Sequence, residues 1–229
     1  MTESLLNRRS PLCLDFNLNN ERKNPQMSSL SPVSSVEPKQ QVYPNPNSNN
    51  NNKNKQIENN QKNGDIFVKA VNLEAVQGNK ELAISTLENL VGISNTKIKE
   101  IALLEQVAIK LSGQQNSEAK DLLSKIIENK KYSEIVTSYA RIAWCSLVID
   151  DEKLDIADKE KLVKYLNYFD NENKPFWATA NIMKAIWDIK SNMLAEAEKN
   201  LRSLVASNNT SDLLKDQAKA LLAGLDRAK

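Results

Sequence analysis

The chain of 229 residues contains no histidine, and its five glycines are scattered along the sequence. The absence of histidine excludes His-based catalytic triads, His general bases and His metal ligands. Glycines so far apart do not build a Gly-x-Gly-x-x-Gly turn or a phosphate-binding loop. No serine or lysine stands in a nucleophile motif such as Gly-x-Ser-x-Gly or Ser-x-x-Lys. These absences predict a protein that is not an enzyme, with no cofactor, no metal and no small-molecule substrate.

Long apolar runs and paired cysteines are also missing. The longest apolar run, residues 142–149, falls far short of the roughly 18 residues of a transmembrane helix. No apolar core follows the basic pair Arg8 and Arg9, so no secretory signal is predicted. Cys13 and Cys145 lie in different compositional regions, and Cys145 is interpreted as a small buried hydrophobic residue. The sequence as written predicts a soluble chain without a membrane anchor.

Charge of one sign is not in excess. The chain carries 31 basic and 29 acidic residues, and residues 64–229 hold 23 and 24 of them. The two signs alternate, as in residues 97–100, which is typical of a solvated helix face and predicts no nucleic-acid partner. The acidic group Asp150, Asp151, Glu152 and Asp155 lacks the glycine of a calcium loop. It is interpreted as a turn followed by acids at a helix N-terminus.

What is present divides the chain near residue 63. Of the 29 asparagines 15 lie in residues 1–63, and six of the seven prolines fall at or before Pro46. All five glycines fall at or after Gly64. The first segment offers few large apolar side chains to offset the entropy of ordering it. We therefore predict a disordered Asn/Ser/Pro-rich tail over residues 1–63 and one folded domain over residues 64–229, which is long enough to bury a core.

The hydrophobic period of the second segment is helical throughout, and no strand is predicted. Nine helices joined by short turns are expected, with the odd-numbered ones more broadly apolar, as when one helix of each pair packs between neighbours. The expected helices cover about 65–76, 80–91, 96–112, from 117, 133–149, 155–169, 175–190, and two stretches containing Leu194 to Val205 and Leu214 to Leu225.

A weak repeat links these helices. Gly78, Ala83, Leu87 and Leu90 are spaced 0, 5, 9 and 12, and the same spacing recurs at Asn192, Ala197, Leu201 and Leu204. Ala119, Leu123 and Ile126 repeat the last three positions, with Gly113 displaced by one, and Lys159, Val163 and Leu166 are assigned to a degenerate middle unit. A small residue followed by large ones lets the second helix of a hairpin close on the first. This pattern resembles the tetratricopeptide repeat, whose period is about 34 residues.

The order of motifs in the C-terminal half narrows the resemblance. Residues 175–180 open a helix, Ala195-Glu196-Ala197 lies in the next one, and residues 212–218 lead into Leu221 and Leu222. This order is similar to the tetratricopeptide-like domain of the ancillary Sec-translocon subunit (YfgM-type) family, especially its uncharacterised members from AT-rich intracellular bacteria.

The resemblance covers about residues 60–226. It implies an all-α, tetratricopeptide-like helical-hairpin solenoid at the inner membrane, with the repeat domain on the periplasmic side, beside translocon subunits and periplasmic chaperones. Members of that family carry a membrane helix ahead of the repeats, whereas residues 45–63 here are polar.

Aromatic and aliphatic side chains supply the candidate site. Two faces of the seventh expected helix are apolar, and Tyr139 and Trp144 lie on the fifth. Core packing explains this pattern, and so does a groove that anchors a partner peptide or helix. The candidate groove residues are Tyr139, Trp144, Phe176, Trp177, Ile182 and Ile189. The predicted function is a non-catalytic protein–protein interaction module, and the alternative is a structural or secreted helical protein with a binding tail.

Overall fold

The computed structural model describes residues 47–151 and 153–228, and this part of the chain forms nine α-helices and no β-strand. The expectation of an all-α fold with nine helices is confirmed for these residues. The helices are α1 (Asn47–Ala75), α2 (Lys80–Ile93), α3 (Thr96–Ser112), α4 (Asn116–Glu128), α5 (Glu134–Val148), α6 (Ile156–Asn167), α7 (Trp177–Lys190), α8 (Leu194–Ala206) and α9 (Asp212–Ala228). The disorder predicted for residues 1–46 lies outside the described residues.

Helix α1 begins at Asn47, whereas the hydrophobic period predicted a start near Asp65. The N-terminal extension is held by polar contacts. The Asn95 side-chain amide donates to Asn60 Oδ1 at 2.8 Å, and Asn63 is buried against the rest of the fold. Residues 53–62 are otherwise exposed, so they show no apolar period from which the helix could have been predicted. The predicted boundary between residues 63 and 64 falls inside this helix.

The helices stack as antiparallel hairpins. Each helix packs on the next one along the chain, and further contacts join α1 to α3, α5 to α7, and α7 to α9. These contacts place α1 beside α3, and α5, α7 and α9 side by side, while α3 meets the start of α5 through hydrogen bonds between Glu100 and Ser133. We call the odd-numbered helices together the odd-numbered layer. The small residues assigned to the hairpin contacts, Ala83, Ala119 and Ala197, are fully buried, as the repeat predicts.

Three hairpin turns each contain a residue in the left-handed backbone conformation. Gly78, Gln114 and Asn192 have φ of 65°, 59° and 60°, and each precedes its buried alanine by five residues. The turn position of the second hairpin is thus Gln114, and Gly113 is the preceding residue with φ of −88°. The displacement of Gly113 noted in the sequence is resolved in this way. The repeat keeps its spacing but places glutamine in a left-handed conformation that favours glycine.

The middle repeat also keeps its spacing, three residues later than predicted. Leu162, Leu166 and Phe169 are nearly fully buried at relative positions 0, 4 and 7, whereas Lys159 is exposed and Val163 is 40% exposed. The assignment of Lys159 and Val163 to the packed positions was therefore wrong. A leucine takes the small-residue position, and helix axes lie farther apart when the contact residues are larger.

Candidate functional site

The six predicted groove residues divide into two groups. Trp144, Trp177 and Ile182 are buried, with Trp144 fully enclosed. The ring of Trp144 packs edge-on against Tyr165 of α6, with ring centroids 5.1 Å apart. A partner cannot reach these three side chains without repacking the core, so core packing is the interpretation that describes them.

The other three predicted residues, Tyr139, Phe176 and Ile189, are half-buried. The rings of Tyr139 on α5 and Phe176 before α7 meet edge-on, with centroids 6.1 Å apart. Each of these residues keeps part of its surface available, and the Tyr139–Phe176 pair links two odd-numbered helices. Whether a partner binds them stays a prediction.

The sequence analysis missed two exposed isoleucines on the odd-numbered layer. Ile101 of α3 is 53% exposed, and Ile135 of α5 is 59% exposed. Half-buried residues continue each stripe at helical spacing, Leu104 on α3 and Tyr139 on α5. We call the surface formed by Ile101, Leu104, Ala108, Ile135, Tyr139 and Ala143 the inner face. Its signal in the sequence is weak, because each isoleucine stands outside the main apolar stripe of its helix.

A buried carboxylate fixes the two halves of the inner face relative to each other. Glu100 of α3 accepts hydrogen bonds from the Ser133 main-chain N–H at 2.6 Å and from the Ser133 hydroxyl at 3.1 Å. Ser133 is the N-cap residue of α5, so Glu100 satisfies a donor that the helix leaves free and lies at the positive end of its dipole. Ile101 follows Glu100 directly, and Ile135 follows Ser133 by two residues, so both exposed isoleucines belong to the helix ends that this contact joins.

The α1 edge of the odd-numbered layer is acidic. Glu74 of α1 and Glu105 of α3 lie side by side, and Ser112 donates a hydrogen bond to Glu74 at 3.5 Å. Burial, and secondly the Glu74 charge, raise the pKa of Glu105 above its ordinary value. The inner face is therefore apolar in its centre and bordered by carboxylates beside α1.

A second polar cluster lies where α5 begins and α6 ends. Glu134 Oε1 accepts from Lys174 Nζ at 2.6 Å and from the Tyr168 hydroxyl at 2.8 Å. These two hydrogen bonds lower the pKa of Glu134 below its usual range. The Lys174 ammonium and the Arg141 guanidinium both lie over the ring of Tyr168, 4.7 Å and 4.0 Å from its centroid. We call Glu134, Arg141, Tyr168 and Lys174 the rim cluster.

The acidic group at the α5–α6 turn has structural partners. Asp150 pairs with Lys190 at 2.6 Å, Asp151 accepts from the Lys153 N–H at 2.9 Å, and Asp155 caps α6 by accepting from the Asp158 N–H at 2.7 Å. Glu152 lies outside the described residues. Within residues 47–151 and 153–228, no group of three or more His, Cys, Asp or Glu side chains is arranged to hold a metal ion. In the same part of the chain, no helix combines the length and the apolar character needed to cross a membrane.

The stacked hairpins and their inner face define an all-helical repeat protein. The chain belongs to the family described as "Protein of unknown function (DUF2659)", whose model matches residues 47–225. The match begins at the residue where α1 begins, so the N-terminal extension of this helix is part of the family's domain.

One relative is the "Uncharacterized protein RP231" of Rickettsia prowazekii (strain Madrid E). It is 66% identical over 172 residues, which are 75% of this chain and 78% of the relative. A relative from this source agrees with the expected kinship to proteins of AT-rich intracellular bacteria. No solved structure matches the chain. The resemblance to the translocon-subunit family stays a prediction, since neither description names a function.

Proposed function

We propose that the protein is a non-catalytic scaffold that binds a segment of a partner protein on its inner face. The observation that carries this proposal is the exposure of Ile101 and Ile135 on adjacent odd-numbered helices. Other helices also expose single aliphatic side chains, such as Val76 and Ile156, but Ile101 and Ile135 lie on two helices that the Glu100–Ser133 hydrogen bonds join, and the half-buried Tyr139 ring continues the Ile135 stripe. Aliphatic and aromatic residues grouped on an exposed face are typical of protein-binding surfaces.

The carboxylates that border the inner face restrict the kind of peptide segment that fits it. Glu74 of α1 and Glu105 of α3 border the inner face, and the centre of that face is apolar. The inner face therefore fits a peptide segment with an aliphatic or aromatic anchor followed by a basic residue. The rigid link between Glu100 and Ser133 supports this reading, since it holds the two helices in place before any partner arrives.

At a finer level, we propose that the partner belongs to the secretion machinery of the bacterial inner membrane, either a translocon subunit or a periplasmic chaperone. The support is the similarity in motif order to the ancillary translocon-subunit family. This part of the proposal is separate from the binding surface, because the same face could serve another partner of like chemistry.

Site-specific photocrosslinking tests both the binding surface and the identity of the partner. A photoreactive phenylalanine analogue replaces Ile101 in the full chain, and a matched sample carries it at Ile156, an isoleucine that is 77% exposed at the start of α6. After irradiation of native cells, crosslinked proteins are identified by mass spectrometry. We expect a discrete partner from position 101 and none of that partner from position 156.

The results of the crosslinking distinguish the proposed binding surface from the proposed partner. Translocon subunits or periplasmic chaperones recovered from position 101 support the finer proposal. A different discrete partner supports the scaffold and removes the translocon. Equal and diffuse crosslinking from both positions contradicts binding on the inner face.

A further inference from the structure

A polar pocket of about 340 Å³ opens beside the rim cluster, where α4 ends and α5 begins. It lies outside the inner face, and nothing in the proposed function uses it. Three charged side chains line it, Lys130, Glu134 and Arg141, together with the side chains of Ile127, Tyr132 and Tyr168.

Arg141 forms no close ion pair within the described residues, although the Glu134 carboxylate lies near enough to act on its charge. One terminal nitrogen donates to the Thr137 carbonyl at 3.0 Å, and the guanidinium stacks on the Tyr168 ring. The remaining guanidinium N–H groups have no hydrogen-bond acceptor among the described residues, and no Asp or Glu oxygen of that part lies within ion-pair distance. Partial burial lowers the pKa of Arg141, although the group stays charged at neutral pH.

The nearby carboxylates are already occupied. Glu134 accepts from Lys174 and Tyr168, and Glu100 accepts from Ser133. Lys130, which also lines the pocket, has no ion-pair partner in the described part of the chain. The lining thus holds two cations without an ion-pair partner in the described part of the chain, Arg141 and Lys130, and one carboxylate, Glu134, whose charge is already paired with Lys174.

We propose that this pocket binds an oxyanion, a carboxylate or a phosphate, carried by a side chain of a peptide segment. Arg141 offers the planar pair of donors that a carboxylate or phosphate accepts in bidentate fashion, and stacking on Tyr168 fixes its orientation in advance. Lys130 supplies the second charge. Ile127 and the Tyr132 ring provide apolar walls for the carbons that carry the anion. The peptide source rests on the proposed scaffold function, whereas the anion chemistry does not.

Nuclear magnetic resonance of the full chain tests the pocket directly. The Arg141 Nε–Hε signal is followed while four probes are added at millimolar concentration: inorganic phosphate and blocked tetrapeptides carrying glutamate, phosphoserine or glutamine. We expect saturable shifts with the first three probes, which weaken as salt is added, and no shift with the glutamine peptide. The stronger of the glutamate and phosphoserine responses identifies the anion.

Variants separate binding from folding. Lys130→Gln changes an exposed residue and should weaken the peptide response several-fold. Arg141→Gln removes the reporting signal itself, so its binding is followed through the main-chain amide signals of Lys130 and Tyr132 and should weaken about tenfold or more. Arg202→Gln, which removes a guanidinium paired with Glu198 on α8, should leave the response unchanged. The proposal is overturned if no probe shifts the Arg141 signal, or if the Lys130→Gln and wild-type chains bind the peptides equally.

The two proposals fail in different ways. If the peptides shift Arg141 but position 101 yields no partner, the pocket stands and the scaffold function falls. If position 101 yields a discrete partner while the probes leave Arg141 silent, the scaffold stands and the pocket falls.

Discussion

Replacing Gln114 with glycine tests the strained turn between α3 and α4. The φ of Gln114 is 59°, and an L-residue in this left-handed region costs about 1–2 kcal/mol. Its side chain is exposed, so no packing is lost when it is removed. Glycine also gives the unfolded chain more conformational entropy, which lowers the free energy of unfolding by about 0.4–1 kcal/mol. The net expectation for Gln114→Gly is a gain of about 1 kcal/mol in the free energy of unfolding.

Two neighbouring positions supply controls of opposite sign. Gly78 occupies the equivalent turn with φ of 65°, so Gly78→Ala should destabilise the fold by about 1 kcal/mol, although a Cβ there meets no atom within 4 Å. Gly113 has φ of −88°, and its Cβ would lie 3.4 Å from the Ile109 and Lys110 carbonyl oxygens, an ordinary contact. Gly113→Ala should therefore be neutral or stabilising by up to about 1 kcal/mol.

Urea unfolding followed by far-ultraviolet circular dichroism measures all three changes. In a chain of this size, 1 kcal/mol corresponds to a shift of about 2–4 °C in Tm, which gives a second measurement. If Gly113→Ala destabilises as much as Gly78→Ala, and Gln114→Gly gives no gain, then Gly113 is the turn residue and the assignment of the repeat is refuted.

Three further predictions concern buried positions and use the same unfolding measurement. Ala197→Trp should overpack the α7–α8 hairpin and destabilise by about 1–3 kcal/mol or more, whereas Trp at the exposed Ala195 should be tolerated; equal effects would place Ala197 outside the core. Glu100→Ala should cost about 1–3 kcal/mol because it leaves the Ser133 N–H unpaired, and an unchanged stability would show that water replaces the carboxylate. Burial raises the pKa of Asp188 above 3.8, so the native state holds this proton more tightly than the unfolded state, and the wild type loses stability as pH rises through the shifted pKa. Asp188→Asn should therefore gain stability relative to the wild type as pH rises above the ordinary aspartate pKa and through the raised pKa of Asp188, and a difference that stays constant with pH would contradict the shift.

Local periodicity was sufficient to predict the helices of residues 64–228 and the hairpin order. Apolar stripes at helical spacing and capping residues such as Asn95 and Asp155 carry that information. The helical state of residues 53–62 in α1 could not be predicted, because these residues are exposed and the contact that Asn60 makes is polar. The division of the predicted groove into buried and accessible residues could not be predicted either. An apolar face on a helix looks the same in sequence whether a neighbouring helix or a partner covers it, and the enclosure of Trp144 depends on its packing among other helices, including the Tyr165 ring of α6.

The long unit of the repeat and the proposed oxyanion pocket lie in the same part of the chain. Successive small-residue positions lie 36, 43 and 35 residues apart, so the unit from Ala119 to Leu162 is the long one. Part of its extra length lies in the turn before α5, residues 129–133, where Asn129, Lys130 and Tyr132 line the pocket. The turn between α2 and α3, which also connects two hairpins, needs only residues 94 and 95. The longer turn before α5 brings a cation and an aromatic side chain to the pocket that holds Arg141, and departures from a regular pattern are expected at functional sites.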